Sequence, residues 1–327
     1  MQSSTDSSAF AKHNMSIGIS SCLLGEKVRY DAGHKLHSYI TETLGKYFSF
    51  KAFCPEIAIG LGAPRETIKL VQIEDRVHCI GTKTPSLDVT LPLVNAADEQ
   101  GPIHKSLCGY IFKKGSPSCG PAGVKLFGLN PEKPEQYLLE GTGIFAKRLT
   151  ENIPHLPVED EERIGDPLYR ENFIERVFAY RRWLYLQEEG LDRAAIIEFH
   201  QAYKYVLMSH DIEETSLLCE YLASTKFEAI DAVSDEYYSA FTRIMKVIAT
   251  RESHITVLEQ LKSQLPKEVG LAAAHELNGV FQSYLTGQVP RLVPVTILKH
   301  YLARLPEAQS SSCHYLFPHH VVMSFQN

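Results

Sequence analysis

The feature that most limits the fold is a change of texture at Pro157. Before it, Gly and Pro punctuate the chain closely and separate short β-type runs at 16–20, 50–53 and 109–112. Val71-Gln72-Ile73 and Val77-His78-Cys79-Ile80 flank Glu74-Asp75-Arg76, the pattern of a hairpin on a sheet edge. Segments 39–48 and 93–108 carry short amphipathic patterns, the second interrupted by Gly101-Pro102. Strands separated by helical patterns predict an α/β domain with an open, mainly parallel sheet. Beyond Pro157 the charged run Val158-Glu159-Asp160-Glu161-Glu162-Arg163 leads into Gly165-Asp166-Pro167, which has helix-start chemistry. Thereafter Phe173, Val177, Tyr180 and Leu184 recur at helical spacing, as do Ile196, Phe199, Tyr203 and Val206, then Tyr237, Phe241, Ile244 and Ile248. Pro266, Pro290, Pro294 and Pro306 mark boundaries between later helices. The expected organisation is a disordered tail over 1–14, the α/β domain over 15–158 and an all-α domain over 159–327.

Several function classes are disfavoured at once. No run approaches the roughly 18–20 apolar residues of a membrane-spanning helix, and 1–14 lacks the basic start and apolar centre of a secretory signal. Seven Cys scattered over 327 residues do not form the dense paired framework of a small secreted protein, so a reducing cytoplasmic location is expected. A net charge of -6, with Lys and Arg spread along the chain, gives no footprint for duplex nucleic acid. A small-molecule ligand is the expectation.

Three cysteines stand at or shortly after candidate strand ends: Cys22 in Ser20-Ser21-Cys22-Leu23-Leu24-Gly25, Cys54 in Cys54-Pro55-Glu56, and Cys119 in Ser116-Pro117-Ser118-Cys119-Gly120-Pro121. In an open α/β sheet the carboxyl ends of the strands face one crevice, where residues distant in sequence can converge. The competing reading is three small buried hydrophobes, the commonest fate of a free Cys. Their wide spacing fits no compact metal motif, and no pair has the short separation of a zinc knuckle. Cys79, Cys108, Cys219 and Cys313 are read as core or surface residues, Cys79 in the hairpin and Cys108 ahead of a strand. Gly141-Thr142-Gly143 lacks a third glycine and a clear preceding strand, so it is not read as a nucleotide loop.

Cys22-Leu23-Leu24-Gly25 followed by Val28-Arg29-Tyr30-Asp31, Cys54-Pro55-Glu56 with Gly60-Leu61-Gly62-Ala63-Pro64-Arg65, and Lys114-Gly115-Ser116-Pro117-Ser118-Cys119-Gly120 resemble, in that order, the thiouracil desulfidase family. The resemblance spans roughly residues 15–158. It implies a 4Fe-4S cluster held by Cys22, Cys54 and Cys119 with one iron open. It also implies a non-redox, hydrolytic exchange of sulfur for oxygen on a thiolated pyrimidine such as 2-thiouracil. A soft iron would take the thiocarbonyl sulfur, Glu56 is the candidate base for the attacking water, and Ser116 the candidate donor to substrate, with Ser118 as its alternative. Arg29, Asp31 and Arg65 are candidate substrate contacts, with loop stabilisation by ion pairs as the competing role. The second half resembles the YbgA-like helical domain, most visibly over Leu292-Val293-Pro294-Val295-Thr296-Ile297-Leu298-Lys299-His300-Tyr301, while 253–258 departs from that domain's His- and Asn-containing block. A cluster-containing binding or regulatory protein that senses iron, sulfur or a modified base is the alternative function. Oligomeric state, and whether the substrate is a free base, a nucleoside or an RNA residue, stay open at this point.

Overall fold

The computed structural model describes residues 15–128, 136–265, 270–302 and 313–318. The expected tail over 1–14 lies outside them, as do Pro266 and Pro306. The chain divides into two compact units, Met1–Asp166 and Pro167–Asn327.

The strands of the first unit are β1 (Ser16–Ser20), β2 (Ser49–Phe53), β3 (Ile68–Ile73), β4 (Arg76–Gly81), β5 (Leu107–Phe112), β6 (Val124–Gly128), β7 (Gln136–Gly141) and β8 (Val158–Asp160). Its short helices are α1 (Pro55–Ala58), α2 (Thr90–Glu99), α3 (Gly101–His104), α4 (Ile144–Asn152) and α5 (Glu161–Gly165). Strands β2, β1, β5 and β8 lie in that order as a fully parallel sheet. Every residue of β5 is buried, and its continuous run Leu-Cys-Gly-Tyr-Ile-Phe is what a parallel strand covered on both faces requires. Cys108 therefore sits inside β5, not ahead of it.

The expected hairpin forms, with Glu74 in the left-handed region at its turn (φ 52°). It is not an edge of the parallel sheet, however. Strand β3 pairs with β6 and β6 with β7, giving a second sheet ordered β4-β3-β6-β7. The reason is burial: Ile68 and Leu70 of β3 and Val124 and Leu126 of β6 close one core with Cys79, Leu93 of α2 and Ile144 of α4, which a hairpin at the rim of the parallel sheet would leave in water. The helix expected over 39–48 is instead a wide turn at Tyr39–Thr43 and a tight one at Leu44–Lys46. Ile40, Thr41, Thr43 and Gly45 are poor helix formers over so short a span.

The boundary also lies later than 158. Val158, Glu159 and Asp160 pair with Tyr110, Ile111 and Phe112, and the Asp160 side chain caps α5 by accepting from the amides of Glu162 and Arg163. The charged run is thus part of the first unit. The second unit is helical throughout its described residues: α6 (Pro167–Glu189), α7 (Arg193–His210), α8 (Ile212–Ser224), α9 (Ile230–Met245), α10 (Arg251–Lys262), α11 (Gly270–Leu285) and α12 (Leu292–Leu302). Its core includes Trp183 stacked on Tyr238 at 4.4 Å and Phe199 packed on Phe241 at 5.1 Å. Pro290 precedes α12, but Pro294 lies in its first turn, where the missing N–H costs no intrahelical bond. No helix among the described residues is long and apolar enough to cross a membrane.

Candidate active site

Strand β1 has β2 on one side and β5 on the other, so the order of the parallel sheet reverses there, and a crevice opens at the carboxyl ends of these three strands. Each end carries one of the cysteines. Cys22 follows β1 in a tight turn, Ser21–Leu24, closed by Gly25 at φ 92°. Its carbonyl accepts from the amides of Gly25 (3.3 Å) and Lys35 (2.8 Å), which folds the 25–35 loop back over the turn. Cys54 follows β2 and precedes α1, with Pro55 at the first helical position, where its fixed φ suits the helix. Cys119 lies on the loop after β5, within a turn in which the Gly120 amide donates to the Ser116 carbonyl at 2.8 Å.

The three cysteines line one cavity of about 300 Å³ together with Glu56, Arg65, Ser116, Ser118, Arg29 and Lys113. Asp31 does not line it. Asp31 is half exposed, accepts from the Gly33 amide at 3.0 Å and stands 3.6 Å from Arg29, so it shapes its own turn. Arg65 is placed inside, with most of its donors engaged. Its Nε and Nη2 donate to Glu56 Oε2 at 2.9 and 2.5 Å, and its Nη1 donates to the carbonyls of Val28 (2.9 Å) and Gly62 (2.5 Å). It knits two loops to the carboxylate and has few donors left for a ligand. Arg29 retains more freedom, with its guanidinium 5.2 Å from the Tyr30 ring.

Glu56 is held at both oxygens. Its Oε1 accepts from Ser118 Oγ at 2.5 Å, and Ser118 Oγ is 2.9 Å from Ser116 Oγ. Ser118 is completely buried and Ser116 half-buried; Ser118 makes the short bond to Oε1, while Ser116 sits 2.9 Å beyond it and reaches Oε1 itself only at 3.5 Å. Ser116 Oγ also accepts from the Cys119 amide at 3.3 Å.

Burial pushes the Cys22 thiol up to about 12, helped by Cys119 and Cys54 nearby. It pushes Cys54 to about 11, with Glu56 adding to the rise, and raises Cys119 as well. Three thiols, Cys22 and Cys119 buried and Cys54 half-buried, that repel one another as thiolates call for a positive group among them. Ser20 Oγ points at Cys119 Sγ (3.5 Å) while accepting from the Lys113 amide (3.0 Å). Lys113 Nζ in turn pairs with Glu161 of α5, whose other oxygen accepts from the Lys114 amide at 2.7 Å. Sequence gives no site signal for Lys113 or Glu161, and for Ser20 only its place in the Ser20-Ser21 pair directly before Cys22. Among the described residues, no three His, Cys, Asp or Glu side chains close on a point as ligands of a single metal ion do.

The other four cysteines have other surroundings. Cys79 is in the second-sheet core, Cys108 is buried in β5, Cys313 is buried, and Cys219 meets His200 Nε2 at 3.1 Å. The second unit has its own cavity of about 620 Å³, with Arg291 donating to Glu171 and Glu175 and with His210 and His254 in its wall. His254 belongs to the atypical 253–258 stretch. It is buried, and its Nδ1 lies 3.1 Å from Tyr315 Oη.

Residues 17–161 match the model of the family described as 2-thiouracil desulfurase, and residues 204–320 match that of a protein of unknown function, DUF1722. The chain fuses a 2-thiouracil desulfurase domain to a DUF1722 domain. The desulfurase domain contains all three cavity cysteines and the Glu56–Ser118–Ser116 chain. Among curated proteins, the Uncharacterized protein YbgA of Escherichia coli (strain K12) is 27% identical over 141 residues, which is 43% of this chain and 83% of that protein. Among solved structures, the [4Fe-4S]-dependent thiouracil desulfidase TudS is 28% identical, with 46% of this chain and 93% of that one covered and a TM-score of 0.35.

Proposed function

We propose that the desulfurase domain converts thiolated pyrimidine bases, 2-thiouracil to uracil plus sulfide, by a hydrolytic and non-redox reaction at a 4Fe-4S cluster held by Cys22, Cys54 and Cys119. The observation that carries this reading is the sharing of one cavity by three cysteines from adjacent strand ends and a carboxylate–serine–serine chain, in a domain that matches the 2-thiouracil desulfurase family. The donor set suits such a cluster. The three thiols line one cavity, and burial that disfavours free thiolates is relieved by cationic iron. When bound, the cluster supplies a Lewis-acidic iron for the soft thiocarbonyl sulfur.

The chain's own residues then handle the water and its proton. Arg65 fixes Oε2 of Glu56, so Oε1 is the oxygen turned to the serines. A water beside Ser116 gives its proton to that hydroxyl, Ser116 passes one to Ser118, and Ser118 passes one to Oε1. Once it carries the proton taken from the water, the Ser116 hydroxyl donates back to the oxygen now bonded to the substrate carbon. Arg29 and Tyr30 at the mouth orient the ring. Glu56 gives its proton back as the sulfur departs, so water enters, hydrogen sulfide leaves with the protons that water brought, no oxidation state changes and no electron donor is consumed.

The test is anaerobic reconstitution with iron and sulfide followed by 2-thiouracil turnover without reductant. Uracil and sulfide should appear in equal amounts. Reconstituted protein that fails to release uracil, or does so only with an electron donor, overturns the reading.

A further inference from the structure

The Gly141-Thr142-Gly143 turn does follow a strand, β7, and it opens α4. The first amides of a helix have no partner within it, and α4 has no side-chain cap. Here they are taken up by the cysteine loop. The Gly143 amide donates to the Gly120 carbonyl (2.8 Å), Ile144 to Pro117 (3.0 Å), and Phe145 and Ala146 to Ser118 (2.9 and 3.2 Å). Thr142 Oγ1 adds a bond to the Pro121 carbonyl at 3.3 Å. The loop that bears Cys119 is thus bound on both sides of the cysteine by the start of one helix. Ser118 is held twice, through its carbonyl by α4 and through its hydroxyl by Glu56.

This docking requires a glycine for space alone. Gly143 has φ −60° and ψ 142°, which any residue adopts without strain. A Cβ placed there would lie 2.6 Å from the Ser118 carbonyl oxygen, 2.7 Å from its carbon and 2.8 Å from the Gly120 nitrogen. All three are backbone atoms, so no side chain can swing aside. The added methyl group must push the two segments apart.

We propose that Gly143, with the amino end of α4, is the positioning element that sets Cys119 at the height of Cys22 and Cys54. This rests on the reading of Cys119 as a cluster ligand. Gly143 touches neither substrate nor cluster and acts through the backbone at 117–120.

The experiment compares the wild-type full chain with Gly143→Ala and with Gly165→Ala, a control whose added methyl meets nothing within 4 Å. In cluster-free protein, the rate at which iodoacetamide modifies each cysteine is read by peptide mass spectrometry. Cys119 in Gly143→Ala should react roughly tenfold faster, the lower part of what forced overpacking does to a local opening equilibrium. Cys79 should keep its rate, and Gly165→Ala should match wild type. After reconstitution, Gly143→Ala should hold less iron per chain and show a changed electron paramagnetic resonance signal. An unchanged Cys119 rate in folded Gly143→Ala, or an equal acceleration at Cys79, overturns the proposal. Faster Cys119 in a protein whose wild type takes up no iron supports the docking and sinks the cluster reading instead. Should Gly143→Ala be insoluble, hydrogen exchange in wild type decides: amides 144–146 protected like a helix interior support the docking, and fast exchange overturns it.

Discussion

Ser118, with no surface exposed, donates to Glu56 Oε1 at 2.5 Å. A buried hydroxyl on a carboxylate is a charge-assisted bond, with about 1.5–3 kcal/mol at stake when one partner is removed. It also fixes which oxygen of Glu56 faces the serines. Glu56→Gln should keep the iron, lose turnover by roughly 10²–10⁴ because an amide accepts no proton at neutral pH, and lose stability because it breaks the pair with Arg65. Ser118→Ala should fall at the low end of that range and also unfold at lower urea. Iron content, kcat and urea midpoint measured on the same preparations check this, and near-normal kcat in iron-loaded Glu56→Gln removes the carboxylate from the proton path.

Replacing Cys22, Cys54 or Cys119 by Ser should each abolish iron retention. The same change at Cys79, Cys108, Cys219 or Cys313 should leave iron per chain at the wild-type level, although Cys79 and Cys108 will cost stability as buried residues. Iron and sulfide analysis after anaerobic desalting is the measurement. A dispensable member of the first three contradicts the ligand set.

Much of this site is legible in the sequence, because its chemistry is local. Cys54-Pro55-Glu56 carries a ligand, a helix start and a carboxylate within three residues, and the three cysteines all follow strands that read as strands. Long-range contacts are not legible. Arg65 reads as either a substrate contact or a loop-stabilising ion-pair residue, and only the fold shows that its donors go to Glu56, Val28 and Gly62. The second sheet escapes for the same reason, since pairing β3 with β6 joins segments that sequence shows only as separate runs. Gly143 looks like part of a failed nucleotide motif, and its use appears only when the 117–120 backbone is seen against it.

Arg65 and Arg29 should therefore behave differently. Arg65 and Glu56 are a largely buried pair (6% and 14% side-chain exposure), and breaking such a pair costs about 3–5 kcal/mol. Arg65→Gln should lower the melting temperature and kcat together. Arg29 makes a 3.6 Å contact with the half-exposed Asp31, a pairing of about 0–1 kcal/mol. Arg29→Gln should leave the melting temperature nearly unchanged and raise KM. A raised KM without loss of stability in Arg65→Gln would return Arg65 to the substrate-binding set.

In the helical unit, burial alone would raise Glu175, yet Arg291 and His210 outweigh it and hold its carboxyl below the ordinary 4.5. Just below that ordinary value the unfolded chain binds the proton and the folded chain does not. The stability Glu175 contributes is thus complete above pH 4.5 and is lost as pH falls through the lowered folded-state value. Trp183 is the sole tryptophan and lies in α6, so its fluorescence follows this unit by itself. Glu175→Gln should flatten the pH dependence in that window. It should also lower stability at pH 7, by less than the about 3–5 kcal/mol of a fully broken pair because Glu171 stays on Arg291. An unchanged acid slope would show that the pair is not what acid disrupts.

Where the chain is cut should matter within a few residues. Ending it at Glu159 removes Asp160, which pairs with Phe112 and caps α5, and Glu161, the partner of Lys113 Nζ and the Lys114 amide. Both contacts brace the start of the loop that leads from β5 to Cys119. Ending it at Asp166 keeps them. The Asp166 product should be soluble and load iron to the level of the full chain, whereas the Glu159 product should load less or aggregate. Turnover by the Asp166 product is the sharper measurement, because every residue assigned to the reaction precedes the cut. Full iron loading with turnover restored only on adding back 167–327 would mean that the DUF1722 domain supplies a part of the reaction that the desulfurase cavity lacks.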